Sequence, residues 1–405
     1  MVEKRILLRN IGVIDPENIE TYLARGGFGA LEKARRMGPD KVISEVKVSG
    51  LRGRGGAGFP CGVKWELAAK STGETKYVIC NADEGEIGTF KDRYLLQNDP
   101  LTVIEGLAIA AHAIGAKKAY IYLRSEYHYL LKKLSQIVST AKSQLGHLEI
   151  EIREGAGAYI CGEESALMNS IEGKRGEARY RPPIPPTSGL FGKPTIINNV
   201  ETLMNVPIII ENGADWYSRI GTEKSKGTKL FSVSGDVERP GVYELELGCK
   251  LSDLLELAGG KDVKFVQIGG STGGIVPYSM VETPLSYETV LGSGGVIVLN
   301  ESRDVIEFMK KTMEFLNEES CGRCTPCREG TEVMVEIYGR LAKGDGNRQD
   351  IEVLEDLSKV MMLSSMCGLG QTVPVPVLDT LKYFRNDYEN RIEQFIFLKQ
   401  LKTYA

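Results

Sequence analysis

The chain is 405 residues long, 42% hydrophobic and carries a formal net charge of −4, so it can bury a sizeable core, and its length suggests two to four domains. The acidic balance and the lack of a basic arm argue against nucleic-acid binding, which needs a concentrated positive surface; no apolar run approaches the ~20 residues that cross a bilayer. The opening Met-Val-Glu-Lys-Arg-Ile lacks the apolar segment of a signal peptide, so a cytoplasmic location is expected, and the eight cysteines are not expected to form a disulfide framework.

Residues 1–48 read as a helical lead-in: Pro16 opens one segment, Gly26-Gly27 closes it, and Leu31 to Met37 forms a short helix. A glycine-rich stretch follows from Gly50 to Trp65, with glycines at 53, 55, 56 and 58 that let the backbone approach a ligand and turn N–H groups toward phosphate. It contains G-x-G-x-x-G in an imperfect context: no clear strand precedes it, and Pro60 is expected to interrupt the helix start. Strand-like runs then alternate with helices. Tyr77–Ala82, Ala119–Leu123 and Leu148–Ile152 read as strands, Leu101–Ile114 and Glu126–Leu145 as helices. Asp99 as N-cap, Pro100 at the first position and Gly115 beyond the end mark the first of these helices. This is a βαβαβ unit, in which ligands sit outside the carboxyl ends of the strands. Two polar, acidic segments stand there, Asn81–Glu86 and Gly155–Glu164. After an Arg- and Pro-rich loop, Asn198-Asn199 precedes a helix that the pair can cap, within reach of a phosphate. Residues 227–300 read as a small α+β domain: strands at Leu230–Ser234 and Gly241–Glu244, a helix at Ser252–Ala258, glycines gathered at 269–274 and 292–295, and no sign of catalysis. From Ser302 the pattern is helical to the end, with Val305, Met309, Met313 and Leu316 on one stripe.

The densest chemical signal lies in this last region. Cys321, Cys324 and Cys327 stand at two successive C-x-x-C spacings in a polar, turning loop, and Cys367 follows forty residues later. Three thiolates from one loop completed by a distant fourth suit a [4Fe-4S] cluster, with one sulfur per corner. Zinc is the competing reading, although its structural sites prefer paired knuckles. Cys61, Cys80, Cys161 and Cys249 are scattered and read as packing residues.

Five segments carry a resemblance that covers essentially the whole chain: GLRGRGGAGFP (50–60), NADEGE with GTFKDR (81–86 and 88–93), GAGAYICGEE (155–164), GKPTIINNVET (192–202) and ESCGRCTPCREG (319–330). The chain resembles the NADH-binding flavoprotein subunit of respiratory complex I and the diaphorase subunits of NAD-linked [FeFe]-hydrogenases and formate dehydrogenases. The resemblance implies an α/β chain with a Rossmann-like FMN/NADH domain over residues 1–226, a β-grasp domain of the soluble-ligand-binding type over 227–301, and a helical bundle with one [4Fe-4S] cluster over 302–405. Carried across, FMN would be held by Gly53, Arg54, Gly55, Lys64, Asn81, Asp83, Glu84, Tyr159, Gly162, Glu163, Asn198, Asn199 and Thr202. NADH would meet Phe59, Glu86, Glu164 and Arg181, and the cluster would take Cys321, Cys324, Cys327 and Cys367. Where relatives often carry aromatics this chain has Leu67 and Ile184, which implies weaker adenine stacking; Ile87 and Cys61 replace a usual Pro and Thr.

The implied chemistry is hydride transfer between NADH and FMN, then single electrons to the cluster and onward, with no side-chain nucleophile. The implied partners are a small thioredoxin-like [2Fe-2S] subunit and a larger iron-sulfur or [FeFe]-hydrogenase catalytic subunit in a hetero-oligomer, with no direct membrane insertion. Met366–Thr372 around the fourth ligand resembles the hydrogenase-linked and formate-dehydrogenase-linked branch, with complex I as the alternative. The chain opens almost directly on the flavin domain and its last 38 residues after Cys367 hold no cysteine, so a linear electron path without ferredoxin is expected. An electron-transfer scaffold with a degenerate NADH site, or a ligand-sensing module built on the β-grasp domain, are the readings of another class.

Overall fold

The computed structural model describes residues 3–393; the expectation of helix to the chain end falls partly outside them. Three helices, Ile19–Leu23, Gly29–Met37 and Pro39–Val48, form the lead-in, the third unforeseen. They are tied to the next domain through buried Glu105, whose carboxylate accepts from the Tyr22 hydroxyl and from the Phe28 and Leu31 amides at 2.5, 3.0 and 2.9 Å. Placing a carboxylate there costs little only because three donors replace its water.

The first sheet is parallel and four-stranded, with β1 at Tyr77–Ala82, β2 at Lys118–Leu123, β3 at Glu149–Glu154 and β4 at Thr195–Asn199. Its order is β3-β2-β1-β4, so the chain turns from one side of β1 to the other and opens a crevice at the carboxyl ends of β1 and β4. In that register Asn81 lies beside Asn199 and Cys80 beside Asn198. Behind the sheet lies the helix Pro100–Ile114, with the expected Asp99 cap on Thr102 N, Pro100 and left-handed Gly115. It is apolar and buried around its circumference, and it packs on the helix Val200–Asn212 so closely that a Cβ on Gly106 would lie 2.1 Å from Leu203 O.

The expected single helix from Glu126 to Leu145 is divided into Ser125–Leu130, Leu131–Thr140 and Lys142–Leu145. Tyr127 leaves helical geometry there, and its buried side chain donates to Glu84 Oε2 at 3.0 Å; the long-range bond outweighs local helical preference. Pro60 does not interrupt a helix either. It stands just before the helix Cys61–Lys70, where a missing N–H costs nothing.

The second sheet is five-stranded, with β5 at Thr228–Gly235, β6 at Gly241–Glu246, β7 at Val263–Ile268, β8 at Gly274–Pro277 and β9 at Gly295–Asn300. The order is β6-β5-β9-β7-β8, with β5 and β9 parallel and the other pairs antiparallel. The helix Leu251–Ala258 closes its own core through Leu251, Leu254 and Ala258. The last region holds the helices Val305–Glu318, Thr325–Lys343, Arg348–Ser364 and Pro374–Tyr383 and the short turn Gly368–Thr372. Val305, Met309, Met313 and Leu316 are buried, as their spacing predicts. Their core runs on without a break into Ile79, Tyr120, Ile160 and Leu167 on one face of the parallel sheet. The helical region is therefore packed directly on the first domain.

Candidate functional site

At the carboxyl ends of β1 and β4 lie two adjoining cavities of about 610 and 440 Å³. Gly55, Gly56, Ala57, Asn81, Gly162, Glu163, Asn199 and Gly368 line both, so they form one two-lobed space. The glycine loop forms one wall. It is closed by an Arg52–Pro60 bridge and by Gly53 N donating to Phe59 O at 2.9 Å, and it joins two helices instead of following a strand. Gly55 lies against Asn199, where a Cβ would sit 3.1 Å from the Asn199 Cβ. Asn199 caps the helix Val200–Asn212 by accepting from Glu201 N, and that helix start faces the space, a favourable place for an anion.

The carboxylates at the end of β1 diverge. Asp83 is buried, faces the larger lobe, and neither oxygen has a hydrogen-bond partner. Burial pushes it up to about 7, opposed by Arg124 at 4.0 Å. Glu84 turns the other way: its oxygens accept from the Asp92 and Arg93 amides and the Tyr127 hydroxyl, so its carboxylate caps the helix Lys91–Asn98. Asn81 spans the cavity floor, donating to Gly162 O at 2.9 Å and accepting from Asp83 N. Asn198 offers an unpartnered buried Nδ2 while its Oδ1 lies 3.4 Å from Cys61 Sγ. Cys61, Cys80, Cys161 and Cys249 are all buried, and Cys61 also lines the smaller lobe.

Lys64 donates to Ile197 O at 3.0 Å and lies 3.6 Å from Glu164, which pairs with Arg181 at 2.9 Å. Glu163 caps the helix Glu164–Ile171 with one oxygen and accepts from Arg181 with the other. Phe59, Leu67 and Ile184 line the smaller lobe with their side chains partly exposed. Two of the expected residues brace the glycine loop, Arg54 from outside the cavity and Thr202 from the wall of the smaller lobe. The fully buried Arg54 guanidinium is spent on the Tyr217 hydroxyl and Lys226 O, and the Thr202 hydroxyl accepts from Arg54 N, so this pair anchors the glycine loop. Glu86 and Tyr159 line the larger lobe and are bonded to each other.

Two contributions to the site carry little local signal that marks them as lining residues. Lys91 and Asp92 line the cavity within a buried ionic cluster: Lys91 lies 2.7 Å from Asp92 and 3.0 Å from Glu201, while Asn199 donates to Asp92 at 2.5 Å. Although burial opposes it, Lys229, Lys91 and Arg54 hold Glu201 below the usual carboxylate range. The GTFKDR motif contained both residues, but nothing local in it pointed inward. The five-stranded domain, which shows no sign of catalysis in its sequence, supplies a whole wall through Gly269, Thr272 to Gly274 and Leu291 to Ser293. Its clustered glycines were the available signal.

The four thiols gather beside this space. Cys324 stands at the N-cap position of the helix Thr325–Lys343 with its thiol free of any capping bond, Cys327 is in the first turn, and Cys367 precedes the turn Gly368–Thr372. Cys327 lies within electrostatic reach of Cys321, Cys324 and Cys367, and a Cβ on Gly370 would come 2.9 Å from Cys327 Cβ. Among the described residues no three His, Cys, Asp or Glu side chains are placed to hold a single metal ion. The residues fit both groups that the resemblance implies. Asp83 and Asn198 present orphaned acceptors and a donor to a ligand rich in hydroxyls, N–H groups and carbonyls, as a flavin nucleotide is, and the four cysteines offer one sulfur per cluster corner.

Residues 46–208 match the family model of the Nuo51 FMN-binding domain, 230–275 that of the SLBB domain, and 307–391 that of the NADH-ubiquinone oxidoreductase-F iron-sulfur binding region. The chain is 43% identical to the NADP-reducing hydrogenase subunit HndC of Solidesulfovibrio fructosivorans over 96% of its own length and 84% of that protein. It is 43% identical to an NADH-quinone oxidoreductase subunit of Rhizobium meliloti, covering 96% and 98%. Against the NAD-reducing hydrogenase HoxS subunit alpha of Cupriavidus necator it is 43% identical, covering 89% of this chain and 62% of that one. A crystal structure of an NAD+-reducing [NiFe]-hydrogenase in the H2-reduced state superposes with a TM-score of 0.88 at 41% identity, over 95% of this chain and 66% of that chain.

Proposed function

Because this chain belongs to the family of NADH-binding FMN flavoprotein subunits of complex I and NAD-linked hydrogenases, we propose that the two-lobed cavity is its FMN and NADH site and that Cys321, Cys324, Cys327 and Cys367 carry its [4Fe-4S] cluster. One observation carries the reading: Gly368, adjacent to Cys367, lines both lobes, so the nucleotide space and the cluster loop share a wall. FMN held there would supply two-electron chemistry toward the hydride of NADH and one-electron chemistry toward the cluster.

The chain's own residues position, neutralise and insulate. Gly55 and the start of the helix Val200–Asn212 present backbone N–H groups to the flavin phosphate, Gly53 closes the loop behind them through its bond to Phe59 O, and Lys64 supplies charge beside them. Asn81, Asp83, Asn198 and Asn199 orient the ribityl chain and ring, with Gly162 leaving room. Glu84, Glu163, Arg54 and Thr202 hold the surrounding loops. Phe59, Leu67 and Ile184 form an apolar bed for the adenine, Glu164 and Arg181 flank the nucleotide, and Glu86 with Tyr159 borders the nicotinamide end. The bounds 1–226, 227–301 and 302–405 belong to the same proposal.

The assembly we propose is an NAD-linked hydrogenase. The segment Met366–Thr372 and the hydrogenase subunits among the relatives support it, with complex I or a formate dehydrogenase as the alternative. The proposed partners are a small [2Fe-2S] subunit and a larger iron-sulfur catalytic subunit in the cytoplasm; among the described residues no helix is long and apolar enough to cross a membrane. Anaerobically purified protein should hold one FMN and about four irons, NADH should bleach the flavin, and hydrogenase chains should co-purify. Zinc in place of iron, or a flavin that NADH leaves oxidised, would sink the reading.

A further inference from the structure

Three donors meet on one carboxylate at the wall of the larger lobe. Glu86 Oε1 accepts from the Ser271 backbone N–H and from the Ser271 hydroxyl, both at 2.6 Å, and Oε2 accepts from the Tyr159 hydroxyl at 2.6 Å. The donors come from separate parts of the fold. Tyr159 follows β3, whereas Ser271 sits 185 residues from Glu86 in the turn between β7 and β8 of the β-grasp domain. Backbone shape builds in the approach: Gly270 has φ +91, and a Cβ there would lie 1.8 Å from Glu86 Cγ. Ser271 is buried, so its hydroxyl has no water to turn to. Beyond the carboxylate, Tyr159 N donates to Glu319 Oε2 at 2.8 Å and the Tyr159 ring meets Phe315 edge-on at 5.6 Å, which fixes Tyr159 from the helical region.

We propose that the turn Gly269–Gly273 is a clamp through which the β-grasp domain holds the Glu86 carboxylate in one orientation at the nicotinamide end of the cavity, with Ser271 as the positioning residue. This rests on the proposed assignment of the cavity to FMN and NADH. It gives the β-grasp domain a part in the redox site without a ligand of its own.

The clamp has a signed consequence. Burial raises the Glu86 pKa, while the Ser271 hydroxyl, the Tyr159 hydroxyl and the Ser271 and Thr272 backbone N–H groups hold it back; removing one donor raises it further. Other titratable or charged groups share this stretch: Asp83 with Arg124 and Glu126, Glu84 with Lys91 and Asp92, Glu319 behind Tyr159, and Asp379 across the cavity. Glu86→Gln separates their titrations from that of Glu86.

The test uses holoprotein with Ser271→Ala, Ser271→Thr, Glu86→Gln and the Ser271→Ala/Glu86→Gln double variant. Two quantities are read against pH: the flavin absorption spectrum without NADH, and kcat/KM for NADH. Ser271→Ala should retain FMN yet move the acidic limb of both profiles upward by about half to one pH unit. Ser271→Thr should restore it, and the Glu86→Gln background should abolish the shift. An unmoved limb in Ser271→Ala, or the same shift in the Glu86→Gln background, overturns the clamp. Failure of NADH to bleach the wild-type flavin would instead strike the functional assignment, and the NADH-free titration still decides on the clamp.

Discussion

Asp83 should hold the flavin at the expense of the flavin-free protein. Its carboxylate is buried without a hydrogen-bond partner, and its folded pKa is raised from 3.8 to about 7 by burial, against the pull of Arg124. A raised carboxylate pKa means the folded state is favoured by the neutral form: the flavin-free protein is most stable below about pH 4 with respect to this group and loses stability as pH rises to about 7. Three pKa units correspond to about 4 kcal/mol. Asp83→Asn should remove that penalty, stabilising the flavin-free protein by up to about this much at pH 8 and by little at pH 4. With FMN the sign reverses, because the carboxylate then accepts from the ligand, and losing a charge-assisted hydrogen bond costs roughly 1.5 to 3 kcal/mol, or about 10- to 160-fold in affinity. Urea unfolding of deflavinated protein at pH 4 and pH 8, with fluorescence titration of FMN, reads both effects. Equal stability of the two proteins at pH 8, or equal FMN affinity, would refute the placement of this carboxylate as the flavin's partner.

The remaining expectations follow from other parts of the fold. Cys324→Ser should lower iron while leaving FMN in place, so NADH still bleaches the flavin but reduction of the downstream partner falls; iron and flavin analyses distinguish this from loss of both. Ile184→Phe should improve NADH binding, because an aromatic ring on the exposed wall of the smaller lobe adds stacking of about 0.5–1.5 kcal/mol, seen as a KM about two- to tenfold lower with kcat little changed. Gly106→Ala should destabilise, since its Cβ would lie 2.1 Å from Leu203 O and two packed helices must part; a cost of about 1–3 kcal/mol would appear as a lower melting temperature with the cofactor ratio intact.

Much of the fold was legible because its signals are local. The Asp99, Pro100 and Gly115 boundary, the strand Tyr77–Ala82 and the buried stripe from Val305 to Leu316 each follow from neighbouring residues and their spacing. β4 and the helix Lys91–Asn98 were missed, the first hidden at the end of a loop rich in Arg and Pro, the second made of mostly polar residues. The division of the Glu126–Leu145 helix followed from a bond between Tyr127 and Glu84, which no helical periodicity can announce.

For the site, the sequence by itself determined the chemical types and their family pattern: three cysteines in one loop with a fourth beyond, glycines where backbone meets phosphate, and acids at a strand end. Tertiary structure alone decided what each does. Adjacent Asp83 and Glu84 differ because one points into the crevice and the other onto a helix start. Arg54 is buried in a scaffold despite its place in the glycine loop, and the glycines around Ser271 reach Glu86 only because the β-grasp domain folds over the parallel sheet. Gly368 reaches the nucleotide space because the helical region shares a core with that same sheet. Such proximities arise from the packing of apolar faces far apart in the chain, which periodicity and capping, both local quantities, do not encode.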